Sequence, residues 1–198
     1  LGTKLKWENA LLKLGILIID HKLASSDGEN DSEELTLKVN RHRTALKRND
    51  LSVCMQALVG STLMSFGSTI FDYGSGRGDD IRILKEFGYK NVSGWDPYFS
   101  ADGIVPKKAD FVSLSFILNV IEDPVERARV LTDCFTLAKK CLAVSVMLDT
   151  QNSLKHFRPY SDGFLTSINT FQKFYDAQEF ENYIIEKLNI RPVKVASG

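Results

Sequence analysis

Metal-binding and disulfide patterns are missing from this chain. Its three cysteines, Cys54, Cys134 and Cys141, form no CxxC pair, and each sits among apolar neighbours, as buried free thiols in a reducing compartment do. His21, His42 and His156 stand far apart with no HxH or HxxxH spacing, so the sequence offers no metal site. Net charge is also missing. With 25 basic and 25 acidic residues, no global field draws the protein to nucleic acid or to a membrane, and any such attraction has to be local. The longest aliphatic run, Ile16 to Ile19, falls far short of the roughly 18 residues of a membrane span and lacks the architecture of a signal peptide. These absences leave a cytoplasmic protein as the expectation, without membrane contact. At 198 residues it can bury one core without covalent staples. The missing initiator Met suggests a trimmed or partial chain.

What is present begins with a division. Ser25 to Glu34, SSDGENDSEE, has no apolar residue and five acids, the composition of a solvated linker. We therefore expect an N-terminal extension and acidic linker over 1–35 and one main domain over 36–198, with residues 5–19 forming a helix and then a short strand. In the main domain Leu51, Cys54, Met55, Leu58 and Val59 recur at helical spacing. Ile70–Tyr73 reads as a buried strand. A helix follows that Asp79 or Asp80 can cap and that Gly88 ends. Val92–Trp95 and Phe111–Phe116 read as strands, and Asp123-Pro-Val-Glu126 opens a helix with a capping box. Cys141–Leu148 is a nearly continuous apolar strand, as in parallel sheets covered on both faces. Asp176 and Glu179 make a second capping box, and Pro192–Val195 reads as a further strand. Strands alternating with helices imply an α/β fold with a doubly wound, mostly parallel sheet.

The chemistry concentrates in TIFDYGSGRGDD at 69–80, a glycine loop between strand and helix. A P-loop would need Lys and Ser or Thr after its last glycine, and Asp79-Asp80 stand there instead. A dinucleotide fingerprint fits Gly74 and Gly76, but the third glycine comes one residue early, at Gly78. The same aspartates would repel a pyrophosphate at the helix N-terminus. S-adenosylmethionine has no phosphate and carries a sulfonium and an ammonium group, so acids around the loop favour it. On that reading Gly74 and Gly76 let the backbone approach the methionyl part, Asp72 supports the loop or meets the ammonium group, and Asp96 accepts from the ribose hydroxyls. A nicotinamide-dependent oxidoreductase is the distant alternative.

The run Asp72-x-Gly-x-Gly-x-Gly78, the strand ending in Asp96 and ADFVSLSFILNVIEDP at 109–124 together resemble a class I S-adenosylmethionine-dependent methyltransferase. More narrowly, VNRHRTALKRNDLS at 39–52, DYGSGRGDD, GWDPY, NVIEDP and DGFLTSINTFQKFY resemble the methyltransferase-like family associated with DNA phosphorothioation gene clusters. The resemblance covers about residues 39–198 and implies a protein continuing past the end of this chain. It implies a Rossmann-like methyltransferase fold with S-adenosylmethionine held by Asp72, Tyr73, Gly74, Ser75, Gly76, Asp96, Pro97 and Ser115. It also implies DNA or a DNA-bound protein as the acceptor or partner. The alternative is a non-catalytic module of the same fold in a DNA modification or defence complex.

Two departures from the family plan stand out. The span from Asp96 to Asp110 is too short for helix, strand and helix, since one crossover needs about a dozen residues, so the third strand is reduced. Tyr98, Phe99 or Asp102 would then replace its adenine contacts. At the other end no residues remain for a seventh strand, so the C-terminal hairpin is incomplete unless Thr170–Tyr175 pairs in its place. No catalytic residue is assigned, because displacement at a sulfonium methyl can proceed by positioning alone. For the acceptor, Arg43, Lys47 and Asn119 are the weak candidates. Arg43 and Lys47 belong to a basic cluster with Arg41, His42 and Arg48 that is read either as a phosphate-facing lid or as a solvated face. His156, Arg158, Tyr160 and Asp162 mark a second polar loop.

Overall fold

The computed structural model describes residues 16–19, 22–25, 39–100, 104–149 and 157–196. The chain divides into two compact units, Leu1–Leu37 and Lys38–Gly198. In the first, β1 (Ile16–Ile19) and β2 (Lys22–Ser25) pair antiparallel, Ile16 opposite Ser25. The expected helix before Ile16 and the acidic stretch 26–34 lie outside the described residues.

The second unit is built on four parallel strands. These are β3 (Ile70–Tyr73), β4 (Val92–Trp95), β5 (Ala109–Ser115) and β6 (Ala138–Ser145), in the order β4-β3-β5-β6. Alternation along each strand assigns the two faces. Ile70 and Phe111 point to one side, where they pack with Leu51, Met55, Leu58, Ile83, Leu84 and Tyr89. That side is covered by α1 (Val53–Gly60) and α2 (Asp79–Glu86). Phe71, Val112 and Leu114 point to the other, against Leu131, Cys134 and Ile184 of α3 (Pro124–Leu137) and α4 (Ala177–Leu188). The fold is therefore a doubly wound α/β sheet of the Rossmann-like kind. Cys54 and Cys134 are buried, Cys141 is half-buried, and all three are free.

Local chemistry explains most of the boundaries. Ser52 caps α1 by accepting from the Met55 amide, Asp123 caps α3 with Pro124 in the first turn, and Asp176 with Glu179 forms the capping box of α4. Gly88, at φ +98°, ends α2. Four readings are corrected. Neither Asp79 nor Asp80 caps α2, whose N-cap is Gly78. Glu126 makes no capping box with Asp123, because Arg41 takes its carboxylate. β6 starts at Ala138, directly after α3, and ends at Ser145. Finally, Pro192–Val195 is no strand, and among the described residues none follows α4.

What extends the sheet beyond β6 is a single parallel bridge between Leu148 and Tyr175, with the Tyr175 amide donating to Met147 O at 3.0 Å and the Asp149 amide to Tyr175 O at 2.9 Å. Of the expected Thr170–Tyr175 pairing this leaves one residue. Phe171–Gln172 is β9 of a separate antiparallel sheet with β7 (Arg158–Tyr160) and β8 (Gly163–Leu165). No strand is described between Trp95 and Ala109.

Arg127 fastens that small sheet to α3. Buried, it donates to both carboxylate oxygens of Asp162 at 2.6 and 3.0 Å, donates twice to Ile121 O, and lies over the Phe171 ring. Removing the acid strands a buried guanidinium. Because Asp162 is itself over a third exposed, we expect Asp162→Ala to cost about 2 kcal/mol in urea unfolding, below the usual figure for a fully buried pair. An Arg127→Met, Asp162→Leu double variant should recover much of it.

Candidate functional site

The site forms where β3 ends. Its alternation sends Asp72 to the α1 face and Tyr73 to the α3 face. Tyr73 is half-buried with its ring 5.1 Å from Trp95, so its side chain points away from the glycine loop. Asp72 is buried and stands in register with Ser113 of β5, whose buried hydroxyl has no hydrogen-bond partner. Among the described residues no cationic side chain pairs with Asp72. Burial, and then the charge of Asp80, push its carboxyl up to about 7. Ser115 and Ser145 share a 3.1 Å hydroxyl contact across β5 and β6, and burial raises the Cys54 thiol of α1 to about 11.

The loop itself turns through left-handed backbone at Gly74, Gly76 and Gly78. At Gly74 a side chain is excluded twice over: φ is +73°, and an added Cβ would lie 2.2 Å from Ile117 Cδ1. The amides of Gly74 and buried Ser75 donate to Trp95 O, which ties the loop to the end of β4. Gly94 of β4 belongs to this construction although the motif does not contain it. A Cβ there would meet Asp72 O at 2.8 Å and Ser75 Cβ at 2.9 Å.

Asp96 is a hub rather than a free acceptor. One carboxylate oxygen accepts from the Gly76 amide at 3.0 Å, and the other accepts from Tyr98 and Phe99 amides at 2.9 and 3.1 Å. Pro97 is an exposed member of the same turn. Asp79 and Asp80, both buried, reach back to the segment before α1. Asp79 accepts from the Arg48 amide at 2.8 Å, and Asp80 accepts from the Ser52 amide at 2.8 Å and the Arg48 guanidinium at 3.1 Å.

The basic segment before α1 forms a strap that these bonds secure. Residues 40–48 cross the glycine loop, with the Ala45 methyl 3.3 Å from where a Gly76 Cβ would sit. The far end is held by the Asn40 amide on Asn169 O and by Arg41 on Glu122 and Glu126 at 2.6–2.8 Å. Hydrogen bonds to Glu126 hold the Arg41 guanidinium well above its ordinary pKa. His42 stacks on Tyr98 with ring centroids 4.1 Å apart. Arg41 and Arg48 are thus spent on carboxylates, which corrects the basic cluster as a five-residue lid; Arg43 and Lys47 have no acidic partner among the described residues. Asn119 is buried. Its amide accepts from the Met147 amide at 2.9 Å and donates to Lys173 O and Met147 O, a clamp between the β5 turn and the end of β6. Among the described residues no group of His, Cys, Asp and Glu could hold a metal ion, and no helix is long and apolar enough to cross a membrane. His156 lies outside the described residues, and Asp162 is taken by Arg127.

Four carboxylates, Asp72, Asp79, Asp80 and Asp96, therefore surround a loop that Arg48 balances in part. Asp72 is the one left over. Between about pH 4 and 7 the folded protein keeps a proton on Asp72 that the unfolded chain releases, so stability falls as pH rises through that window and levels off above it. Asp72→Asn should raise stability by about 2–4 kcal/mol at pH 8 and leave it nearly unchanged at pH 4, measured by urea unfolding at the two pH values.

No protein-family model and no curated protein sequence matches the chain. Among the solved structures that resemble it loosely are the following three. CalO1, a methyltransferase in calicheamicin biosynthesis in its SAH-bound form, is 18% identical over 68% of this chain and 46% of its own, with a TM-score of 0.41. LepI in complex with SAM is 11% identical over 73% of this chain and 44% of its own, TM-score 0.43. Magnesium protoporphyrin IX methyltransferase (ChlM) from Synechocystis PCC 6803 with bound SAH is 14% identical over 74% of this chain and 82% of its own, TM-score 0.42. The chain spans less than half the length of the first two.

Proposed function

We propose that the protein is an S-adenosylmethionine-dependent methyltransferase. The observation that carries this reading is the unpaired, buried Asp72 beneath a left-handed glycine loop, in a site whose acids outnumber its cations. Such a site favours a ligand that brings positive charge and no phosphate. A sulfonium and an ammonium group meet that requirement; a pyrophosphate would face carboxylates.

The chain's own residues would act in three ways. Gly74 and Gly76 supply the left-handed turn and let Ile117 and the Ala45 methyl close in on it, which fixes the loop over Asp72. Asp72, ionised on meeting a cation, would bind the ammonium end, and Ser113 and Ser115 offer hydroxyls on the same face. Asp96 has three of its acceptor positions occupied by amides, so ribose hydroxyls would bind at what remains or displace the Tyr98 and Phe99 amides. When bound, the donor supplies an electrophilic methyl group with a neutral thioether as leaving group. The protein's contribution is to hold the nucleophile in line and keep water out. The resemblance of its motifs to the phosphorothioation-associated family is what favours DNA or a DNA-bound protein as the setting of the reaction, and Arg43 and Lys47 are cations that could face it.

Calorimetry with S-adenosylhomocysteine tests the reading. We expect saturable binding by the unaltered chain, and a loss of at least tenfold with Asp96→Ala or Gly74→Ala. Absence of binding, or binding indifferent to both substitutions, would reject it.

A further inference from the structure

Among the described residues four that are not glycine take left-handed backbone: Phe116 at φ +57°, Ser161, Asn169 and Asn189. Asn adopts this conformation readily, and Ser161 turns the β7–β8 hairpin. Phe116 is the bulky apolar one, and it directly follows the last residue of β5. A large side chain on such backbone persists only where its surroundings impose it, and strain of this kind gathers at ligand sites. Here three contacts impose it. The Phe116 amide donates to Ser145 O at 3.0 Å, Ile117 closes on Gly74, and the buried Asn119 ties the turn to Met147 and Lys173.

The turn takes a ring out of the core. In continued extended backbone Phe116 would follow Val112 and Leu114 to the α3 face of the sheet. Leu114, Ile117, Leu118 and Val144 form an apolar cluster there, but Phe116 belongs neither to it nor to the cluster on the α1 face. Its side chain is half-buried. The place it occupies is the topological switch point. With the order β4-β3-β5-β6 the chain leaves β3 to one side and crosses to the other, which opens a crevice outside the carboxyl ends of β3 and β5, where open α/β sheets bind ligands. The glycine loop leaves one lip of that crevice and Phe116 starts the other. Ser113 stands in register with Asp72, and Phe116 comes three residues later, about 10 Å along at the usual rise.

The donor carries two positive centres, and Asp72 accounts for the ammonium end. Its sulfonium still needs a partner, and the other acids of the loop are committed: Asp79, Asp80 and Asp96 accept from amides or from Arg48. A carboxylate against the sulfur would also favour the charged reactant over a transition state in which that charge is fading. The face of a phenyl ring attracts a cation more gently and sets no nucleophilic oxygen beside the methyl group. We propose that the Phe116 ring rests against the sulfonium of the bound donor, across the crevice from the glycine loop. Resting on the methyltransferase reading, this gives the second positive centre of the donor its partner and explains why a phenylalanine is held in strained backbone outside the core.

Calorimetry on the full chain compares S-adenosylmethionine, whose sulfur is charged, with S-adenosylhomocysteine, whose sulfur is neutral. A cation over an aromatic face is worth about twofold to thirtyfold in affinity. Phe116→Leu keeps apolar bulk without the ring, so it should weaken S-adenosylmethionine about fivefold and S-adenosylhomocysteine less than twofold. Phe116→Tyr should hold both within twofold. Phe116→Gly relieves the left-handed backbone, so its urea midpoint should equal or exceed that of the unaltered chain while the preference for the charged ligand is lost. Equal losses for the two ligands in Phe116→Leu, no loss for either, or a midpoint lowered in Phe116→Gly as for a core phenylalanine would overturn the proposal. Binding of both ligands by the unaltered chain with no discrimination among the variants rejects the Phe116 contact alone, whereas binding of neither by the unaltered chain rejects the methyltransferase reading on which it rests.

Discussion

Carboxylates bonded to backbone amides hold this site together. Asp79, Asp80 and Asp96 accept six hydrogen bonds from main-chain and guanidinium donors that belong to separate stretches of the chain: the strap before α1, the cap of α1, the glycine loop and the turn after β4. Charge-assisted bonds of this kind are about twice as strong as neutral ones, and two of these acids are buried where competing water is excluded. The position of the strap over the loop and the start of α1 under it both depend on them.

The same arrangement separates structural acids from a functional one. Every acid around the loop except Asp72 is committed to an amide or a cation. Asp72 stays buried at the strand end beside the unsatisfied Ser113 hydroxyl, and that pair is where the structure tolerates an energetic cost. A cationic ligand offsets the cost, because it favours the ionised carboxylate that burial disfavours. Gly74 and Gly94 show the steric counterpart, where backbone and side chains approach too closely for a Cβ.

The fold was legible because its signals are local. Ile70–Tyr73, Val92–Trp95 and the capping box at Asp176 follow from residues a few positions apart, and the structure has them where the pattern puts them. The failures involve partners distant in the chain. Glu126 has the spacing of a capping box, but Arg41, 85 residues away, takes its carboxylate. Asp79 and Asp80 have the composition of helix caps, yet the amides of Arg48 and Ser52 lie closer to hand. Pro192–Val195 alternates like a strand but pairs with none of the described strands.

By itself the sequence determined the glycine loop, its acids and the doubly wound order of elements, since apolar periodicity and turn chemistry are read over a few residues. Tertiary structure decided which aspartates are free. Asp79 and Asp80 are taken by donors from a remote segment, Asp96 by the Gly76 amide and two amides of its own turn, and Asp72 by none among the described residues. It also decided that Phe157, Phe164 and Phe174 pack on one another, which depends on strand register and on the Tyr175 bridge rather than on any spacing along the chain.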